Sequence, residues 1–181
     1  MKLVILDRDG VINQDSDQYI KSPEEWKPIP GSLEAIALLN QAGFRVVVCT
    51  NQSGIGRGLF EMDTLNAIHD KMIRALAQIG GHVDAIFFCP HTVTDDCECR
   101  KPKAGMFREI EARFNVSLAD VPAIGDSLRD IQAAAAVGAK PILVLTGKGK
   151  KTAADAALPP RTPSFADLAS AVAHIIKNDG S

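Results

Sequence analysis

Aromatic residues are scarce in this chain: they make up 5% of 181 residues, with one tryptophan and one tyrosine. Proteins that hold single-stranded nucleic acid stack its bases on aromatic side chains inside a cationic groove. Both parts are missing, because 20 basic and 22 acidic residues leave a formal charge of −2 and no broad cationic surface for a phosphate backbone. No apolar run approaches the ~20 residues that span a bilayer. The sequence from Lys2 onward reads as a strand rather than as a basic-then-apolar leader. A cytoplasmic protein with no nucleic-acid partner and no membrane contact is therefore expected, and a monomer is the default. There are four cysteines, which in a chain of this type points to metal or thiol chemistry rather than a disulfide framework.

A hydrophobic content of 46% over 181 residues can fill one core, so a single domain spanning 1–181 is expected. Short apolar runs at Lys2–Leu6, Arg45–Cys49, Ala85–Phe88, Val121–Ile124 and Pro141–Leu145 read as strands. Helical spacing falls between them, at Ser32–Ala42, Asp63–Ile79, Ala104–Phe114 and Leu128–Val137. Ser32 suits a helix cap, with Gly43 just past the helix end. Ser164–Ile176 is expected to be the last helix, opened by a capping-box-like Ser164-x-x-Asp167. Strands alternating with helices predict an α/β fold with one doubly wound, Rossmann-like parallel sheet covered on both faces. Two stretches, Arg8–Pro30 and Cys89–Lys103, fit no element. Long loops after a strand end are usually functional.

Four polar stations follow strand ends in order. Asp7-Arg8-Asp9-Gly10 places two carboxylates where the first strand stops, at the edge that forms the ligand crevice of an open α/β sheet. Thr50-Asn51-Gln52-Ser53-Gly54 joins a hydroxyl to a glycine-containing loop whose N–H groups suit an oxyanion. Cys99-Arg100-Lys101-Pro102-Lys103 is cationic, and Gly125-Asp126-Ser127 brings an acid to a strand tip before a helix. Each has a plainer reading alone: a calcium loop or Asp-Gly turn, an ordinary glycine loop, a solvated charge run, and a helix cap, which suits Asp130 better than Asp126.

Taken together and in this order, they resemble the haloacid dehalogenase superfamily of phosphotransferases. The resemblance implies Asp7 as nucleophile, Asp9 as general acid/base, and Thr50 and Lys101 on the transferring phosphoryl group. It further implies Mg²⁺ on Asp7, Asp126 and the Asp9 backbone carbonyl, with Asp130 orienting Asp126 or Lys101. Lys103 competes with Lys101, but Lys101-Pro102 matches the family's Lys-Pro. The parts suit phosphoryl transfer, which needs an in-line nucleophile and neutralised equatorial oxygens.

Cys89, His91, Cys97 and Cys99 put three thiols and one imidazole into a loop of about 89–99, a Cys₃His set for closed tetrahedral Zn²⁺. Such an ion would organise a loop too polar to pack alone. Cys49 falls in a strand and reads as core.

The combination is similar to a narrower branch, the heptose bisphosphate phosphatases and histidinol-phosphate phosphatases. The run Thr50–Gly58, the segment Asn13–Ile20 and Thr146-Gly147-Lys148 favour the former, with Val11 and Ile20 as mild departures. The implied substrate is a small phosphorylated sugar on the route to lipopolysaccharide. Arg100 would meet its second phosphate, Asp15, Ser16, Asp17 and Gln18 would shape its binding side, and Asn51, Gln52 and Ser53 would contact it. No large cap domain fits between the first two motifs. Histidinol phosphate, a broad sugar phosphate, a nucleic-acid end and a non-catalytic phosphate-binding role remain as alternatives.

Overall fold

The first strand, β1 (Leu3–Leu6), is buried at every position, and a strand hidden on both faces belongs in the middle of a covered sheet. The computed structural model, which describes residues 1–180, places it there. Parallel to it run β2 (Arg45–Asn51), β3 (Ala85–Cys89), β4 (Pro122–Gly125), β5 (Lys140–Val144) and β6 (Ser164–Phe165). Their spatial order is β3-β2-β1-β4-β5-β6. The chain starts centrally, builds outward to β3 and returns to the other side of β1. The switch point between β1 and β4 opens a crevice beyond their carboxyl ends.

Strand side chains alternate between two cores. Val4, Leu6, Val46 and Val48 pack toward α1 (Ser32–Gln41), α3 (Met62–Ala77) and α7 (Leu168–Asp179). Leu3, Ile5, Val47 and Cys49 face α4 (Gly105–Phe114) and α5 (Leu128–Ala136). Each fully buried aliphatic side chain here contributes about 1.5–3 kcal/mol relative to exposure. This is the doubly wound α/β layering expected from the alternation.

Between β1 and β2 there is no cap domain, only a loop, a 3₁₀ turn (Pro23–Glu25) and α1. Trp26, 1% exposed, pins that loop into the core. Two short helices complete the fold: α2 (Ser53–Gly56) after β2 and α6 (Gly149–Ala153) after β5. No helix among the described residues is long and apolar enough to cross a membrane.

Several local expectations are corrected. Ser164 and Phe165 are not helical. They pair with Leu143 and Val144 as an edge strand, and the last helix starts only after Asp167, whose carboxylate caps the Ser170 N–H at 2.8 Å. Ser32 is not a cap but the first helical residue; Gly31 (φ 86°) is the cap, and the Ser32 hydroxyl donates to the Val11 carbonyl at 2.8 Å. The third helix ends at Ala77 rather than Ile79, because Gly80 (φ 76°) turns the chain and the Gly81 N–H closes on Leu76 O at 2.9 Å. Asp130 is not the cap of α5; that residue is Ser127.

Candidate active site

Register brings the sequence stations together. Leu6 pairs with Ile124, and the Asp7 N–H donates to Ile124 O at 2.9 Å, so Asp7 and Asp126 emerge side by side at the switch point. Gly10 makes their approach tight: with φ 83°, any Cβ there would sit 2.0 Å from Oδ2 of Asp126. Gly147 crowds the same oxygen from the other side. The result is a cavity of about 280 Å³, whose walls include Asp7, Asp9, Lys101, Asp126 and Asp130. A larger cleft of about 680 Å³ lies at the opposite edge, around Leu3, Pro122 and Pro141. It holds no comparable acid cluster.

Lys101 organises the floor. It is 3% exposed, and its Nζ contacts Asp130 Oδ1 at 2.6 Å, Cys49 O at 2.7 Å and Asp7 Oδ1 at 3.2 Å. Burial works against its charge, but Asp130 and Asp7 outweigh that and hold the ammonium ionised. Asn51 clamps the lysine's backbone, donating from Nδ2 to Lys101 O at 3.1 Å and accepting from Lys101 N at 3.0 Å. Lys103 turns away, its Nζ donating to Cys97 O at 2.7 Å.

Asp130 braces the acids. Besides Lys101, it accepts from the N–H groups of Asp126 and Ser127 and from the Ser127 hydroxyl, at 3.2, 3.1 and 2.9 Å. Burial opposes its ionisation, but Lys101 wins and its pKa is lowered. Asp7 behaves oppositely: burial and the Asp130 charge push it well above the usual carboxylate range against the pull of Lys101. Asp126 is pushed up to about 7, first by burial and then by Asp130.

The carboxylates of Asp7, Asp126 and Asp130 can each offer an oxygen within 4.8 Å of the others. Asp130 is engaged on both oxygens, whereas Asp7 Oδ2 and Asp126 Oδ1 make no hydrogen bond among the described residues. Two strained acids with free oxygens facing one crevice fit a divalent cation, whose charge would relieve both.

Asp9 sits apart from that cluster. Its Oδ1 accepts from Arg8 Nη2 at 2.8 Å, Arg8 Nε at 3.1 Å and Asn13 Nδ2 at 2.9 Å, and its Oδ2 from Gln52 Nε2 at 2.9 Å. Burial opposes its charge, but Arg8 and these hydrogen bonds bring the pKa below the usual range. Gln52 Nε2 also donates to the Thr50 hydroxyl at 3.0 Å. Thr50 is 1% exposed, next in β2 to the cavity-lining Asn51.

The outer wall is cationic. Arg57, Arg100, Arg129 and Lys148 line the cavity together with Asp15, Ser16, Asp17 and Ser53. Arg100 has its pKa lowered by burial first and next by Arg129, with Arg57 adding to it. Guanidinium groups crowded this way suit a bound anion. Gln18 lines an adjoining groove with Lys21 and Glu24, which shares Asp15 and Ser16 with the cavity. Sequence reasoning singled out Arg100 but passed over Arg129 and Arg57 as individual ligands, and it missed Arg8 and His69 altogether. The one available signal for His69 was a polar residue on the apolar stripe Leu65, Ile68, Met72.

Cys89, His91, Cys97 and Cys99 converge within 4.8 Å. Contacts to Cys89 Sγ run from 2.6 Å (Cys99) through 3.5 Å (His91 Nδ1) to 3.9 Å (Cys97), with His91 Nδ1 3.2 Å from Cys99 Sγ. Three thiols and an imidazole are the donor chemistry of a structural metal site. Zn–S bonds of about 2.3 Å would set S–S edges near ~3.8 Å, so a bound ion would spread the Cys89–Cys99 pair most. The loop meets the cavity through Arg100, whose Nη1 donates to His91 O at 3.3 Å.

A family model described as polynucleotide kinase 3 phosphatase matches residues 2–129, and one described as HAD-hydrolase-like matches residues 98–171. The chain is 61% identical to the D-glycero-beta-D-manno-heptose-1,7-bisphosphate 7-phosphatase of Bordetella bronchiseptica, over 98% of this chain and 99% of that protein. It is 52% identical to the protein of the same name from Pseudomonas putida, over 97% and 100%. A crystal structure of D,D-heptose 1,7-bisphosphate phosphatase from B. bronchiseptica, complexed with magnesium and phosphate, superposes with a TM-score of 0.96 at 61% identity, covering 98% of this chain and 99% of that one. The corresponding structure from Burkholderia thailandensis gives 0.79 at 53% identity, covering 98% and 100%.

Proposed function

The chain belongs to the D-glycero-beta-D-manno-heptose-1,7-bisphosphate 7-phosphatases, within the haloacid-dehalogenase-like hydrolases, and from that premise we propose how its residues remove the C7 phosphate. The observation that carries the reading is Lys101 Nζ, 3.2 Å from Asp7 Oδ1 on the cavity floor, beneath a wall holding Arg57, Arg100 and Arg129. One phosphate of a sugar bisphosphate sits against Asp7 and Lys101, and the other against the guanidinium groups.

Asp7 attacks phosphorus and forms an aspartyl-phosphate. Lys101 neutralises developing charge on the phosphoryl oxygens, held there by Asp130 and by the Asn51 clamp. Asp9, ionised without substrate, takes up a proton when the substrate's phosphate charge is bound beside it, gives that proton to the departing sugar oxygen and takes one from the water that cleaves the intermediate. Mg²⁺, held by Asp7, Asp126 and the Asp9 carbonyl, supplies further charge neutralisation when bound. Asp126 is kept in place for this role by the Lys148 N–H, which donates to its Oδ2 at 2.8 Å. The Cys₃His loop would hold Zn²⁺ and so fix Arg100 and Lys101 at its exit. The substrate is a small phosphorylated sugar.

Turnover of the heptose bisphosphate beside heptose 7-phosphate, histidinol phosphate and a 3′-phosphorylated oligonucleotide tests the reading. The bisphosphate is expected to give the highest kcat/KM. Preference for the oligonucleotide, the substrate class named by one matching family model, would overturn it.

A further inference from the structure

Arg8 is 0% exposed, the only arginine among the described residues to be so enclosed. It lies between the two catalytic aspartates in sequence yet turns its side chain away from the cavity. Two of its nitrogens hold Asp9 Oδ1, and the third, Nη1, lies 3.0 Å from Nε2 of His69. A guanidinium only donates, so His69 Nε2 must accept, and the ring proton of a neutral imidazole is assigned to Nδ1. Burial and then the Arg8 charge hold the ring neutral, with its pKa lowered to about 4. His69 is 7% exposed on the core-facing side of α3, beside Leu65, Ile68 and Met72, and does not line the cavity. A histidine among aliphatic side chains costs stability unless it satisfies a partner, and its partner here is Arg8.

The donors around Asp9 are unevenly shared. Oδ1 receives three, from Arg8 Nε, Arg8 Nη2 and Asn13 Nδ2, whereas Oδ2 receives one, from Gln52. Oδ1 has no capacity left for a proton; Oδ2 has.

We propose that His69 is a positioning residue for proton transfer: by accepting from Arg8 it fixes the guanidinium that occupies Asp9 Oδ1, which leaves Oδ2 as the atom that carries the catalytic proton. The proposal rests on Asp9 being the general acid. In the first step the Oδ2 proton moves to the leaving oxygen as its bond to phosphorus breaks and the bond from Asp7 forms. In the second, Oδ2 takes a proton from the water whose oxygen attacks phosphorus, and Asp7 and inorganic phosphate are released. Without His69, Arg8 is free to swing and Asp9 rotates with it.

The test compares single-turnover release of the leaving group, the first step alone, by His69→Leu, His69→Gln and Asp9→Asn on the heptose bisphosphate and on p-nitrophenyl phosphate, whose phenolate leaves without needing a proton. The water-activating second step is common to both substrates. His69→Leu is expected to slow that first step on the sugar substrate by about ten- to a hundredfold, the scale of a misplaced catalytic group, and to change release of p-nitrophenolate little. His69→Gln, which keeps an acceptor, should restore most of the loss. His69→Asn, a polar side chain too short to reach Nη1, should behave as the leucine variant and carries the test if His69→Leu fails to fold. Equal losses on both substrates, or none, with Asp9→Asn still selective for the sugar, would overturn the role of His69 alone. An Asp9→Asn loss equal on both substrates would overturn the assignment of Asp9, and the role of His69 with it.

Discussion

Lys101 binds Asp130 more closely than it binds Asp7, at 2.6 Å against 3.2 Å. The lysine is thus anchored by an acid other than Asp7, and in the proposed mechanism its charge stays in place while Asp7 is phosphorylated and released. Removing Lys101 leaves Asp130 buried without its cation. Lys101→Met is expected to abolish turnover and to destabilise the fold by about 3 kcal/mol or more, the scale of a broken buried ion pair. Lys101→Met combined with Asp130→Asn should recover part of that stability and none of the activity. Urea denaturation of the parent and the two variants checks this; a Lys101→Met protein as stable as the parent would refute the anchoring.

Asp7 and Asp9 should separate experimentally. Asp7→Asn is expected to abolish both turnover and trapping of a phospho-enzyme. Asp9→Asn should still form the covalent species from an activated ester while losing about 10²–10⁴ in rate on the sugar phosphate. Rapid-quench measurement of protein-bound phosphate distinguishes the two.

Elemental analysis of purified protein is expected to find about one zinc per chain, in keeping with a single tetrahedral donor set. Cys97→Ser should lose that metal, lower the melting temperature and raise KM for the bisphosphate, because Arg100 leans on the loop through His91 O. A metal-free protein that melts as the zinc-loaded one does would remove the structural role.

Arg100→Ala is expected to raise KM for the heptose bisphosphate and to erode its preference over monophosphates. One charged contact is worth about 1.5–3 kcal/mol, or roughly ten- to a hundredfold in kcat/KM. Turnover of p-nitrophenyl phosphate, which has no second phosphate, should change little. An equal loss on both would place Arg100 at the transferring group instead.

Stability should depend on pH through His69. Its pKa is about 4 in the fold against an ordinary 6.5, so between those values the unfolded chain binds a proton that the folded chain does not. The neutral ring's full contribution is present above pH 6.5 and is lost as pH falls toward 4, by up to about 3 kcal/mol. His69→Gln has no such group, so the stability gap between parent and variant should narrow by that amount over the same interval. A gap that stays constant would contradict the buried, neutral assignment.

The layered α/β fold was legible in the chain because short Val/Ile/Leu runs alternate with helical spacing, and helices returning over a parallel sheet bury both faces of such apolar strands. The site stations were legible for a related reason: each stands at a strand tip, and parallel strands deliver all their tips to one edge. The last strand was not legible, because Ser164 and Phe165 are extended only through pairing with β5 across many intervening residues. Assignment within the site also waited on tertiary structure. Lys101 and Lys103 are equivalent on paper, and only the fold turns one toward Asp7 and the other toward Cys97. The contacts of Thr50 and Asn51 were not legible either: the Thr50 hydroxyl accepts from Gln52, and Asn51, which lines the cavity, also clamps the Lys101 backbone. His69 carried no motif at all. Its partner Arg8 lies 61 residues away in sequence, and a hydrogen bond of that kind is set by how α3 packs against the end of β1, which local pattern does not encode.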